Sequence, residues 1–166
     1  MMRFEQFQGL IKTYCEEHTL VQHNDVSNVC FERFKTNQQL YSIPTNAGPV
    51  LVRVFDFIGR ANGDFDSGQL NEQAVLHFLC RVDAAADPYD AVHQAELKAM
   101  EIMFDFYARM KNDQRTDSCG ALKGFDLEDM TFEALEMQLE EHYGWMMTIP
   151  FREFAPAYDA DKWNTV

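Results

Sequence analysis

Between Ala74 and Tyr107 an alternating apolar segment gives way to an Asp87-Pro88 helix start and then to a long amphipathic run. Successive side chains of an extended strand point to opposite sides. In a strand over about 74–82, Val75, His77, Leu79 and Arg81 share one side, and Leu76, Phe78, Cys80 and Val82 the other. The second set is expected to face the core, which leaves His77 as a surface or interface residue. Asp87 is placed to cap the following helix, and Pro88 at its first position forfeits no hydrogen bond because that donor has no intrahelical partner. Beyond it Val92, Ala95, Ala99, Ile102, Met103, Phe106 and Met110 form one stripe, with Glu96, Lys98, Glu101, Asp105 and Arg109 opposite. A strand and a helix with one apolar face each bury those faces on one another, so an α+β core follows, with the helix across the sheet.

The rest of the chain extends that pattern. Phe4, Phe7, Ile11, Tyr14, Cys15 and His18 recur at three- and four-residue steps and predict a first helix over about 3–19, lying as a lid. Val29–Phe34 is a short candidate strand followed by a polar turn over 35–39, with 39–43 as a possible extension. After Pro44, Gly48 and Pro49, the β-branched and aromatic run Val50–Ile58 reads as the strongest strand of the first half, and Gly59–Gly68 as a loop rich in Gly, Asn and Asp. Residues 111–124 read as a polar surface loop. Two patterns fit 131–143. A helix would place Phe132, Leu135, Leu139 and Tyr143 on one face; a strand would turn Leu135, Met137 and Leu139 inward. The strand is preferred, because a Tyr143-Gly144 turn then joins it to Trp145, Met147, Ile149 and Phe151, which also alternate, and the two close the sheet as a hairpin. Pro150 cannot donate to a ladder, so its strand is expected at an edge or a bulge. The expected organisation is a single α+β domain over 1–154, with a mostly antiparallel sheet, and an extended arm over 155–166.

The 166 residues suffice for one core, and 46% apolar content excludes disorder for most of the length. With 27 acids against 14 bases the net charge is −13, so the surface repels phosphate and anionic lipid. A direct grip on nucleic acid is therefore not expected; DNA enters only as a passing, non-specific neighbour. Neither an apolar leader segment nor 18 consecutive apolar residues occur, and the expectation is a soluble protein made in the cytosol, without a membrane partner.

The sequence assigns no catalytic residue, cofactor site or metal site. Cys15, Cys30, Cys80 and Cys119 stand singly, without the paired spacing of a zinc or redox motif; Cys15 and Cys80 read as small core hydrophobes. His18, His23, His77, His93 and His142 never fall at i, i+4. Asn62–Gly68 fails as a calcium loop, because Ser67 and Gln73 occupy the positions that need Gly and Glu, and Asp159–Asn164 is equally incomplete. The thiol of Cys119, beside Gly120, is expected to be the least buried and is the one candidate nucleophile, with no activating motif around it. Charge is more informative. Between Lys123 and Arg152 there is no Lys or Arg, while Asp126, Glu128, Asp129, Glu133, Glu136, Glu140 and Glu141 accumulate. A solvated face, a channel wall and a docking patch for a basic partner all fit this run.

The order of elements, with Ala74–Val82 leading into Asp87-Pro88-Tyr89-Asp90-Ala91 and a late Tyr143-Gly144-Trp145 before Met147–Phe151, resembles the tail terminator and related tail-completion or neck proteins of long-tailed bacteriophages. The likeness covers roughly 50–154; the long 113–129 connection and the terminal arm depart from it. It implies a virion structural protein, assembled in the bacterial cytoplasm and forming a ring, usually of six copies, at the head–tail junction. Tail tube and head-connector proteins would be its neighbours, and DNA would slide past a negative lumen. On this reading Trp145, Phe151 and Trp163 are expected for packing or docking, and Glu136, Glu140 and Glu141 for the acidic surface. The rival classes are an acidic inhibitor, of the immunity or anti-restriction kind, that blocks a basic partner, and a thiol hydrolase using Cys119.

Overall fold

The two apolar patterns meet as the sequence requires. In the computed structural model, which describes residues 2–34, 47–55, 58–62, 69–82, 87–116, 120–135 and 141–154, the order is α1 (Met2–Glu17), β1 (Val29–Phe34), β2 (Ala47–Phe55), β3 (Ile58–Asn62), β4 (Gln69–Arg81), α2 (Pro88–Thr116), β5 (Thr131–Ala134) and β6 (His142–Phe154). The fold is α+β: two helices on a mostly antiparallel sheet of order β1-β2-β4-β6-β5, with β3 pairing β4 beyond the end of β2. Only β1 and β2 run parallel among the paired strands.

The spine of the sheet is β4 against β6, in unbroken register from Gln69↔Phe154 to Arg81↔His142. On its helix side, Leu76, Phe78, Cys80, Met147, Ile149 and Phe151 meet Ala95, Ala99, Ile102, Met103, Phe106 and Met110 of α2 in one buried cluster. Phe106 sits at its centre, edge-on to Phe78 at 5.2 Å and to Tyr14 of α1 at 5.8 Å. Complete burial of one such side chain stabilises the fold by about 1.5–3 kcal/mol. Asp87 caps α2 as expected: its Oδ1 accepts the Tyr89 N–H at 3.1 Å and its carbonyl the Ala91 N–H at 2.8 Å. α1 buries Phe7, Ile11, Tyr14 and Cys15, and Phe7 stacks on Phe125 at 4.6 Å.

Several expected boundaries move. The strand expected over 50–58 divides into β2 and β3, and 59–62, expected as loop, are strand because they pair with Gln69–Glu72. α2 runs on to Thr116, where polar residues expected in a loop are held by tertiary bonds. Gln114 donates to the carbonyls of Leu122 (3.1 Å) and Phe125 (2.8 Å), and Asp113 accepts the Tyr14 hydroxyl at 2.7 Å. The closing hairpin exists, but Tyr143 and Gly144 are not its turn. They lie inside β6 opposite Cys80 and Leu79, while β5 ends at Ala134. Gly144 is required there for space, since a Cβ would collide with the Phe78 carbonyl oxygen.

Pro150 lies in a strand flanked on both sides, which corrects the simple edge expectation. β5 accompanies β6 only over Trp145–Thr148. The Pro150 carbonyl accepts Asp126 N–H at 2.8 Å, so its nitrogen faces that same outer flank and the missing donor removes nothing from the β4 ladder. The second face of the sheet is also covered: Leu51 and Leu79 are fully buried with Leu135 against them, and Arg53 is 0% exposed. His77 belongs to this face and is 8% exposed, so it is a buried residue and not the surface one its alternation suggested. The expectations for the 35–39 turn, 39–43, the 63–68 loop, Met137 and Leu139, and the 155–166 arm lie outside the described residues.

Candidate functional site

β5 ends the sheet, and among the described residues no strand pairs with its outer side. Phe132 lies opposite Met147 and Ala134 opposite Trp145, so these two side chains face α2, while Thr131 and Glu133 take the other face. The Leu135 N–H bonds inward to the Gly144 carbonyl at 2.9 Å. Peptide groups alternate sides along a strand, so the N–H and C=O groups of Phe132 and Ala134 point outward, away from β6. All four β5 residues are exposed.

An apolar seam borders this edge. Phe132 is 46% exposed, edge-on to Phe104 (38% exposed) at 5.3 Å and tilted on Trp145 at 6.3 Å. Leu97 stands one heptad before Phe104 on the same side of α2 and is 40% exposed, with the exposed Glu101 between them. Glu133 is exposed on β5, and Asp129, two residues before the strand, is exposed as well; Glu128 is paired with Lys111 Nζ at 2.6 Å. Among the described residues the arrangement is an unpaired backbone ladder with an aromatic surface on one face and the Glu133 carboxylate on the other.

The residues singled out from sequence divide between core and surface. Phe151 packs: it is 1% exposed and lies 4.8 Å from the Phe125 ring. Trp145 is half-buried, and its indole N–H donates to the Glu96 carbonyl at 3.1 Å, which ties β6 to α2. Glu141 is exposed with a left-handed backbone (φ 66°), and its carbonyl accepts Val82 N–H. Glu136, Glu140, Trp163 and Cys119 lie outside the described residues. Phe104 and Leu97 were not singled out, although both fall off the buried stripe and a helical projection separates them from it.

Two other polar clusters are structural in character. Across the second face of the sheet, Glu32, Arg53 and His77 stand side by side on β1, β2 and β4. Arg53 Nε lies 2.9 Å from Glu32 Oε2, a short ion pair between neighbouring strands. Burial raises the Glu32 carboxyl pKa despite Arg53, and burial with Arg53 alongside lowers the His77 imidazole to about 4. At the end of α1 a cleft of about 280 Å³ is lined by Tyr14, Glu17, His18, Asp105, Phe106 and Arg109. Its polar groups satisfy one another. His18 Nε2 lies 3.2 Å from Asp105, its Nδ1 accepts Leu20 N–H, and Arg109 is held between Glu17 and Asp113. The hydroxyl pKa of Tyr14 is raised by burial and by its bond to Asp113.

Cys15, Cys30 and Cys80 are buried, as expected for the first and third, and burial raises all three thiols, Cys80 to about 12. Such thiols are poor nucleophiles at neutral pH. Among the described residues there is no group of three side chains suited to a metal ion, and no helix is long and apolar enough to cross a membrane. No protein-family model matches the chain, and no curated protein matches it.

Proposed function

We propose that this protein is a structural subunit that acts by docking to other chains, in the setting that the tail-terminator resemblance implies. It forms a ring at the head–tail junction of a tailed phage or prophage, completing the tail while DNA passes. The observation that supports docking to other chains is the β5 edge, unpaired among the described residues, with the Leu97–Phe104–Phe132 seam beside it; the ring itself rests on the tail-terminator resemblance. Unpaired ladder groups and exposed aromatic side chains are the two materials of strand-mediated protein association. The net charge of −13 suits the passage of DNA, because carboxylates release no counterions from phosphate and give the polymer no hold. An unlike-surface interface between copies closes into a ring when its rotation permits.

Sedimentation velocity across a wide concentration range tests the ring. The expected result is one closed oligomer with a fixed copy number. A monomer at every concentration refutes ring formation, and a monomer that captures a basic nuclease and inhibits it establishes the acidic-inhibitor reading instead. Substrate turnover abolished by a single substitution overturns the absence of chemistry.

A further inference from the structure

We infer that the β5 edge receives an extended strand from a different protein, with lysine or arginine on one face and apolar residues on the other. This rests on the reading of the chain as an assembly subunit and deepens it by naming the partner's chemistry.

The backbone sets the first requirement. Phe132 and Ala134 offer outward N–H and C=O groups, since Leu135 bonds inward to Gly144 and the sides alternate. A strand laid against β5 satisfies all four groups at once. The side chains set the second requirement. On the α2 face an incoming strand lies beside Phe132 and Phe104, which already touch each other and remain 46% and 38% exposed, so its residues there must be apolar. On the other face it meets Glu133, and Asp129, two residues before the strand, is also exposed. No Lys or Arg occurs between Lys123 and Arg152 to neutralise them, so residues of the incoming strand on that face must be basic.

Charge complementarity also separates a foreign strand from a second copy. A copy presenting its own β5 brings the same carboxylates to a chain of net charge −13. A copy presenting β1, the opposite end of the sheet, would set Glu32 against Glu133 in the register that continues the row Glu133, Met146, His77, Arg53, Glu32. Like charges directly opposite weaken a strand pair.

The test uses the whole chain labelled with ¹⁵N and three acetylated peptides of about eight residues, the span of a short added strand: alternating Lys-Val, alternating Glu-Val and alternating Lys-Gly. The Lys-Val peptide is expected to slow amide hydrogen exchange at Phe132 and Ala134, with the Lys-Gly peptide binding about tenfold more weakly for lack of apolar cross-strand pairs. The Glu-Val peptide should not bind. Glu133→Lys should reverse the preference between the Lys-Val and Glu-Val peptides, and Phe132→Ser should weaken the first in a chain that stays folded at the assay temperature, its unfolding midpoint falling only by what the Phe104 and Trp145 contacts supply.

Equal binding of Lys-Val and Lys-Gly peptides overturns the inference in favour of diffuse attraction to an acidic surface. Protection of Phe132 and Ala134 on raising the protein concentration alone overturns it in favour of a second copy. That result leaves the assembly reading standing, whereas peptide capture by a chain that forms no oligomer removes the ring and leaves the inference intact.

Discussion

Acidification from pH 7 to pH 5 probes the covered second face of the sheet through one imidazole. His77 is 8% exposed and lies opposite Arg53 across the β2–β4 pair. Both features disfavour its charged form, burial more strongly, and its pKa drops from 6.5 to about 4. The unfolded chain takes up this proton near pH 6.5, the folded chain only near pH 4. Between those values the unfolded state holds more protons, so the contribution to stability is complete above pH 6.5 and declines as the pH falls. At 1.36 kcal/mol per pKa unit, the decline is about 2 kcal/mol by pH 5 and about 3 kcal/mol by pH 4.

Glu32 acts with the opposite sign. Its carboxyl is raised above 4.5 in the folded state, so protonation there returns stability as the pH falls through that raised value. A single pH profile mixes the two groups, and His77→Phe separates them. The replacement ring occupies the same place beside Phe55, whose centroid lies 4.3 Å away, and takes up no proton. Urea unfolding followed by circular dichroism at pH 7, 6 and 5 gives both stability curves. The stability of the variant relative to the parent should rise by about 2 kcal/mol between pH 7 and pH 5, whatever the offset at neutral pH. Parallel curves refute the reasoning, because they mean that the folded imidazole charges freely and that water reaches this face.

Two further predictions concern the helix side of the sheet. Gly144→Ala sets a methyl group against the Phe78 carbonyl and within 3.1 Å of Ala99 Cβ; a cost of about 1–3 kcal/mol in chemical denaturation is expected, and no loss would show that β6 shifts freely along β4. Phe106→Ala removes the ring shared by Phe78 and Tyr14; it should cost about 3–5 kcal/mol, measured by the same unfolding experiment, and a loss below about 1 kcal/mol would mean that the site collapses around the smaller side chain.

The helices and the main strands were legible because each repeats a simple period over many residues. The α2 stripe from Ala95 to Met110 and the alternation of β4 survive in the structure residue for residue on the helix side. Legibility failed where tertiary bonds overruled local composition. Asp113 and Gln114 look like loop residues, yet they continue α2 because Tyr14, Leu122 and Phe125 supply their hydrogen-bond partners from distant parts of the chain. Gly144 resembles a turn residue, but its missing side chain answers a close approach of β4. His77 alternates outward from the main core, and nothing local announces that the sheet is covered on both sides. The exposed seam was not legible: Phe132 entered only the helical alternative for 131–143, and its contact with Phe104 depends on how α2 crosses the sheet. The acidity around Glu133 was plain from sequence, and its location on an open edge was not.

The pairing of β4 with β6 has a kinetic consequence. Its partners are separated by the whole of α2 and by β5, so the central ladder is a non-local contact whose closure carries a large loop entropy. During synthesis, β4 and α2 emerge before the strand that completes them, and until residues 142–154 follow, the β4 flank and the Phe106 stripe have no lasting cover. The growing polypeptide therefore passes through an interval in which its most aggregation-prone surfaces are presented together, and its yield in a cell depends on how quickly β6 arrives.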